Sequence, residues 1–87
     1  MADEKRFAFM DASGNILECS MCKPEFAANW AAICGYSDFE DMDRPDGKVK
    51  YVEVGDQFNK VAGSVRKKAG LAAVEAFLAT KAVEGKV

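Results

Sequence analysis

The 87 residues predict an α+β fold: a small antiparallel sheet, built from an N-terminal β-hairpin plus a third strand and covered by helices, in the order ββα(turn)βαα. Three observations carry this expectation. Residues 5–20 alternate on either side of a glycine-containing turn, residues 24–34 bear apolar side chains at helical spacing between a proline and a glycine, and apolar helical stripes run on from Gln57. Residues 1–87 are read as a single compact domain, since neither a linker nor an internal repeat interrupts them.

The first strand is placed at Lys5–Met10, where Phe7 and Phe9 share one side, and the second at Ile16–Ser20. Between them Asp11-Ala12-Ser13-Gly14-Asn15 is rich in turn formers, which makes the pair a hairpin. Phe7, Phe9 and either Ile16 or Leu17 are the expected buried face. From Pro24 the apolar spacing changes to Phe26, Ala27, Trp30, Ala31 and Ile33 or Cys34. Proline is tolerated in a first helical turn, whose amides lack intrahelical acceptors, and Gly35 supplies a left-handed stop.

Ser37-Asp38-Phe39-Glu40 has the form of a capping box and predicts a short helical turn, closed by Arg44-Pro45-Asp46-Gly47. The third strand is expected over Lys48–Val54, although Val49 and Tyr51 point one way and Val52 and Val54 the other, which requires a bulge or two covered faces. Asp56 is positioned to cap a helix that starts at Gln57, with Phe58, Val61, Ala62, Val65 and Ala69 on one side. Beyond Gly70 that side becomes alanine, and Leu71, Val74 and Leu78 emerge nearly opposite. A glycine costs a helix interior about 1 kcal/mol relative to alanine, so two helices broken near Gly70 explain the switch better than one continuous helix.

Composition bounds the function. Apolar residues make up 49% and charged residues 30%, which excludes a disordered chain. No stretch approaches the roughly 18 apolar residues of a membrane span, and MADEKRF is not followed by a secretory apolar core, so the expected compartment is the cytoplasm. Three cysteines, an odd number, argue against a disulfide scaffold. The net charge of −2 is polarised: residues 1–47 carry −6 and residues 48–87 carry +4. That asymmetry suits docking to a partner rather than dedicated nucleic-acid binding, and leaves nucleic-acid contact only through a nucleoprotein complex.

Chemistry enters through ECSMCKPEF. Cys19 and Cys22 lie three apart before a predicted helix, whose free amides and dipole would favour thiolate. CSMCKP resembles, over about five residues, the thioredoxin and glutaredoxin motif of C-x-x-C followed by lysine. The resemblance implies a thiol–disulfide redox module with a long helix after the motif and a later cis-proline loop; here Pro45 is the only later proline. A small structural zinc domain is the other alternative, with Cys19, Cys22 and Cys34 as ligands. Without a histidine anywhere, its fourth ligand would have to be an aspartate such as Asp38. Asp38, Glu40, Asp41, Asp43 and Asp46 resemble a calcium loop only out of register by one residue, and read instead as a solvated acidic turn. Arg66-Lys67-Lys68 is explained by a helix C-terminus.

The absence of histidine removes the commonest general base, and no other pair is spaced to replace it. The sequence therefore predicts a non-enzymatic interaction protein without cofactor or metal, which binds a protein partner or its own copy as a homodimer. The expected surface combines the small-residue helix positions Gly63, Gly70, Ala73 and Ala76 with Phe77, and the acidic Asp38, Asp41 and Asp43. Compact accessory proteins of phages and mobile elements, which block host machinery, share this profile of size and composition.

Overall fold

The protein is described from a computed structural model, which covers residues 3–84. It is an α+β fold. A three-stranded antiparallel sheet has the order β2-β1-β3, with β1 at Lys5–Met10, β2 at Ile16–Cys22 and β3 at Asp38–Asp41. Helix α1 spans Pro24–Cys34, a two-stranded hairpin joins β4 (Gln57–Asn59) to β5 (Ser64–Arg66), and helix α2 spans Leu71–Glu84.

Strand β1 is the centre of the molecule and is buried on both sides. Phe7 and Phe9 point toward α1, where they meet Ala27 and Ala31 and the half-buried Trp30, Tyr36 and Phe39. Ala8 and Met10 point the other way, into a cluster with Ile16, Met42, Val49, Val52 and Phe58. The β1–β2 register slips between Phe9 and Met10, so that Glu18 faces Phe9 while Ile16 faces Met10 and Leu17 is the extra residue. This bulge puts both Ile16 and Cys19 on the second face.

Helix α1 follows its local signals. Pro24 occupies its first turn, and Gly35, at φ 79°, ends it while the Tyr36 amide donates back to the Ala31 carbonyl at 2.8 Å. Helix α2 begins at Leu71, directly after the Gly70 amide donates to the Gly55 carbonyl at 2.8 Å; no helix precedes Gly70, so it marks the start of one helix and not a break between two.

Three elements differ from the sequence expectation. Residues 38–41 form the third strand, paired with β1, where a capping box predicts a helical turn. Packing overrides the local signal: as a strand, Phe39 reaches the rings of Phe7 and Phe9 at 5.8 and 6.1 Å. Asp38 still accepts a backbone amide, from Phe39 at 2.7 Å, but at a strand edge. Residues 48–54 are consecutive turns, not the third strand. Lys50 and Val52 donate to the carbonyls of Gly47 and Val49, a pitch of three residues that brings Val49 and Val52 to the same buried side. That pitch accounts for the failed alternation.

The helix predicted from Gln57 is the β4–β5 hairpin. Gly63, at φ 67°, and Asn59, whose side chain accepts the Ala62 amide at 3.0 Å, turn the chain back. Strand β4 is held on its other side by the β1–β2 turn, through the Phe58 amide to the Gly14 carbonyl at 2.9 Å and a bridge between Asn15 and Gln57. Phe58, buried to 2% exposure, gains its core position from this arrangement.

Candidate functional site

Strand β2 decides the fate of the thiol pair. It runs through Cys22 without a break, so Cys19 and Cys22, an odd number of residues apart, project from opposite faces of the sheet. Cys19 packs against the cluster around Met10 and Phe58, and Cys22 against the one around Phe9. Burial raises the Cys19 thiol pKa, helped by the charges of Asp56, Glu18 and Glu53 against the opposing pull of Arg6. Burial likewise raises that of Cys22, aided by Glu4, Glu18 and Glu25. The redox alternative supposed a low-pKa thiol at a helix N-terminus beside its partner. Neither condition holds, because the strand, not the helix, contains both residues. For the zinc alternative, among the described residues no three His, Cys, Asp or Glu side chains come together to hold a metal ion.

The acidic residues are tied to cations at the β3 edge. Asp38 pairs with Lys60 at 2.8 Å, Asp41 with Lys5 at 3.5 Å, and Glu40 with Arg44 at 3.3 Å. Asp43 is exposed and donates its amide to the Asp41 carboxylate at 2.8 Å. A groove of about 560 Å³ adjoins this edge, between the β1–β2 turn, Asp38 and the β4–β5 hairpin. Several of its polar groups have partners within the chain: Asp11 accepts the amides of Ser13 and Asn15, Gln57 donates to the Ser13 carbonyl, and Asp38 holds Lys60.

Sequence reasoning did not anticipate the cluster around Glu18. The bulge turns this side chain toward α1, where its carboxylate accepts hydrogen bonds from Trp30 Nε1 at 3.1 Å, Tyr36 Oη at 2.5 Å and the Ser20 hydroxyl. Burial would raise the Glu18 pKa, yet these three donors together hold it below the usual carboxylate range. The Tyr36 hydroxyl is pushed up correspondingly, by burial and by its bond to the carboxylate. No spacing rule in the sequence links residues 18, 30 and 36; only the bulge does.

The consequence of this cluster lies in α2. Tyr36, fixed by Glu18, stacks at 5.5 Å on Phe77, and α2 packs along β2. The inner side of the helix comprises the half-buried Ala73, Val74 and Phe77, with Lys81 over the Phe77 ring. Gly70 is buried below its first turn, where a methyl group would meet Asn15 Oδ1 at 2.8 Å and the Asp56 carbonyl at 3.1 Å. Gly70 therefore packs within the chain and offers nothing to a partner, and Gly63 belongs to the β4–β5 turn, away from the helix. Of the helix positions singled out from sequence, Ala76 faces outward.

The outer side of α2 is apolar as well. Leu71 is 46% exposed and Leu78 59% exposed, in one stripe with Glu75, and the exposed Ala72, Ala76 and Ala79 form the stripe beside it. The apparent reversal of the apolar stripe at Gly70 comes from the β4–β5 hairpin before it, which is not helical. No family of known proteins, no characterised protein and no solved structure matches the chain. No helix among the described residues is long and apolar enough to cross a membrane.

Proposed function

We propose that the protein works by binding a protein partner, or its own copy, through the outer side of α2, without chemistry of its own. One observation carries this reading. Ten of the fourteen α2 residues are apolar, and apart from Leu71, whose side chain also rests against Gly55, the internal packing of the helix uses one side of it. A helix apolar all round belongs in an interior, and its uncovered side then marks an association surface. The small side chains of Ala72, Ala76 and Ala79 let another backbone approach closely, and Leu71 and Leu78 flank them as anchors. An extension to phage or mobile-element inhibitors of host machinery rests on size and composition alone.

The test is capture of partners by the tagged full chain, paired with two variants. Leu78→Glu on the outer side of α2 should weaken binding at least tenfold, about 1.4 kcal/mol, with an unchanged circular dichroism spectrum. Val61→Glu, at a fully exposed position in the β4–β5 turn, should leave binding intact. Equal binding by the Leu78→Glu chain and the parent would show that the surface lies elsewhere.

A further inference from the structure

Resting on that reading, we infer that the outer side of α2 is built for a basic amphipathic helix of a different protein, with a lysine or arginine seated against Glu75, and not for a second copy of this chain. The argument comes from the position of one charge. Glu75 is exposed, and its helical neighbours three and four residues away are Leu71, Ala72, Leu78 and Ala79, all exposed and all apolar. Among the described residues it forms no ion pair. Lys81, the nearest cation along the helix, lies over the Phe77 ring on the inner side.

A carboxylate at the middle of an apolar patch discriminates between occupants. If two copies paired through Leu71 and Leu78 in antiparallel fashion, each leucine would meet the other's counterpart, and the two-fold axis would pass between residues 74 and 75. In parallel register residue 75 would face residue 75. Either way two carboxylates meet within about one residue's rise, ~1.5 Å along the axis, in a patch losing its water. Like charges juxtaposed in this way reject the wrong partner. A helix bearing a cation among leucines and alanines keeps the apolar burial and satisfies the carboxylate.

Glu75→Lys converts this chain into a probe with that chemistry, because it presents the same face with a cation at its centre. The position is exposed and lysine is a good helix former, so its circular dichroism should match the parent. An equimolar mixture of parent and Glu75→Lys chains should form a 1:1 complex in size-exclusion light scattering, at least tenfold tighter than either chain binds itself, weakened by salt and abolished by Leu78→Glu in either chain. Glu75→Leu, with no charge to separate the copies, should self-associate at least tenfold more tightly than the parent. A mixture that remains monomeric, or a Glu75→Leu chain no more associated than the parent, overturns the inference. A parent chain that dimerises by itself and is dispersed by Leu78→Glu also overturns it, while the protein-binding reading of α2 survives as a self-interface. Adhesion of the parent to phosphatidylglycerol vesicles, lost in Leu78→Glu, would overturn both.

Discussion

Asp56 shows how one carboxylate organises the irregular half of the chain. It is 1% exposed and accepts the Lys67 ammonium at 2.6 Å, the Glu53 amide at 2.8 Å and the Lys68 amide at 3.0 Å, which joins the turns before it to the approach to α2. Lys68 holds the left-handed conformation, φ 60°, in which its amide reaches Asp56. Burial would raise the Asp56 pKa, but Lys67 and the two amides outweigh it and lower it from the usual value. A depressed folded pKa means that the stabilisation is present above the unfolded value, about 3.9, and is lost as pH falls through the folded one. The hydrogen bond from Lys67 to Asp56 raises the lysine pKa, so on the alkaline side its contribution holds below the ordinary lysine value and fades as pH rises through the raised one. Urea unfolding should therefore give a stability that is level across neutral pH and falls below about pH 4. Asp56→Asn should cost about 2–3 kcal/mol at pH 7, because it loses the buried charge that Lys67 and two backbone amides share, and its acid fall should be shallower. Glu18, also depressed, accounts for part of the fall that remains. A variant with the parent's stability and acid profile would remove Asp56 from this role.

Between elements, the critical contact is the β1–β2 turn against β4. Gly14, at φ 85°, lies so close that a methyl group there would overlap the Phe58 carbonyl oxygen. Gly14→Ala should lower unfolding stability by about 2–5 kcal/mol, from the left-handed backbone and the forced displacement together. A loss below 1 kcal/mol in urea titration would mean that the two hairpins do not depend on each other. This contact also explains what the sequence conceals. The β1–β2 hairpin, α1 and the start of α2 after Gly70 are legible because proline, glycine and alternation act within a few residues of the structure they specify. Phe58, Val61 and Val65 have helical spacing, and nothing local says that Phe58 must pair with Gly14, 44 positions earlier. Ser37 to Glu40 fail as a capping box for the same reason: the rings that draw Phe39 into a strand belong to residues 7 and 9. At the candidate site, the Cys19–Cys22 spacing puts two thiols together on a helix and apart on a strand, and motif spacing alone does not say which. The helical spacing of Leu71 and Leu78 was legible because it lies within α2 itself, whereas which side of α2 faces outward, and the ties of Glu18 to Trp30 and Tyr36, depend on residues distant in the chain.

At the scale of the molecule, β1 couples two apolar clusters that do not otherwise share residues. Phe7 and Phe9 belong to the helical side, Ala8 and Met10 to the side closed by Met42, Val49, Val52 and Phe58. Neither side is large, so each depends on the strand being held by the other. α2, the proposed binding element, rests on both: Gly70 is seated beside Asp56 and Asn15, and Phe77 on Tyr36. Phe58→Ala tests whether this coupling is strong enough to make the faces one cooperative unit. It should cost about 3–5 kcal/mol by leaving a cavity on the turn-covered side. Trp30, the chain's single tryptophan, reports from the opposite side through its hydrogen bonds to Glu18. If β1 transmits the loss, the Trp30 fluorescence midpoint in urea shifts by the same amount as the circular dichroism midpoint, and the two transitions remain superimposed. A Trp30 transition that stays in place while circular dichroism loses an early phase would mean that the helical face holds without its counterpart. The α2 surface would then be anchored by Tyr36 alone.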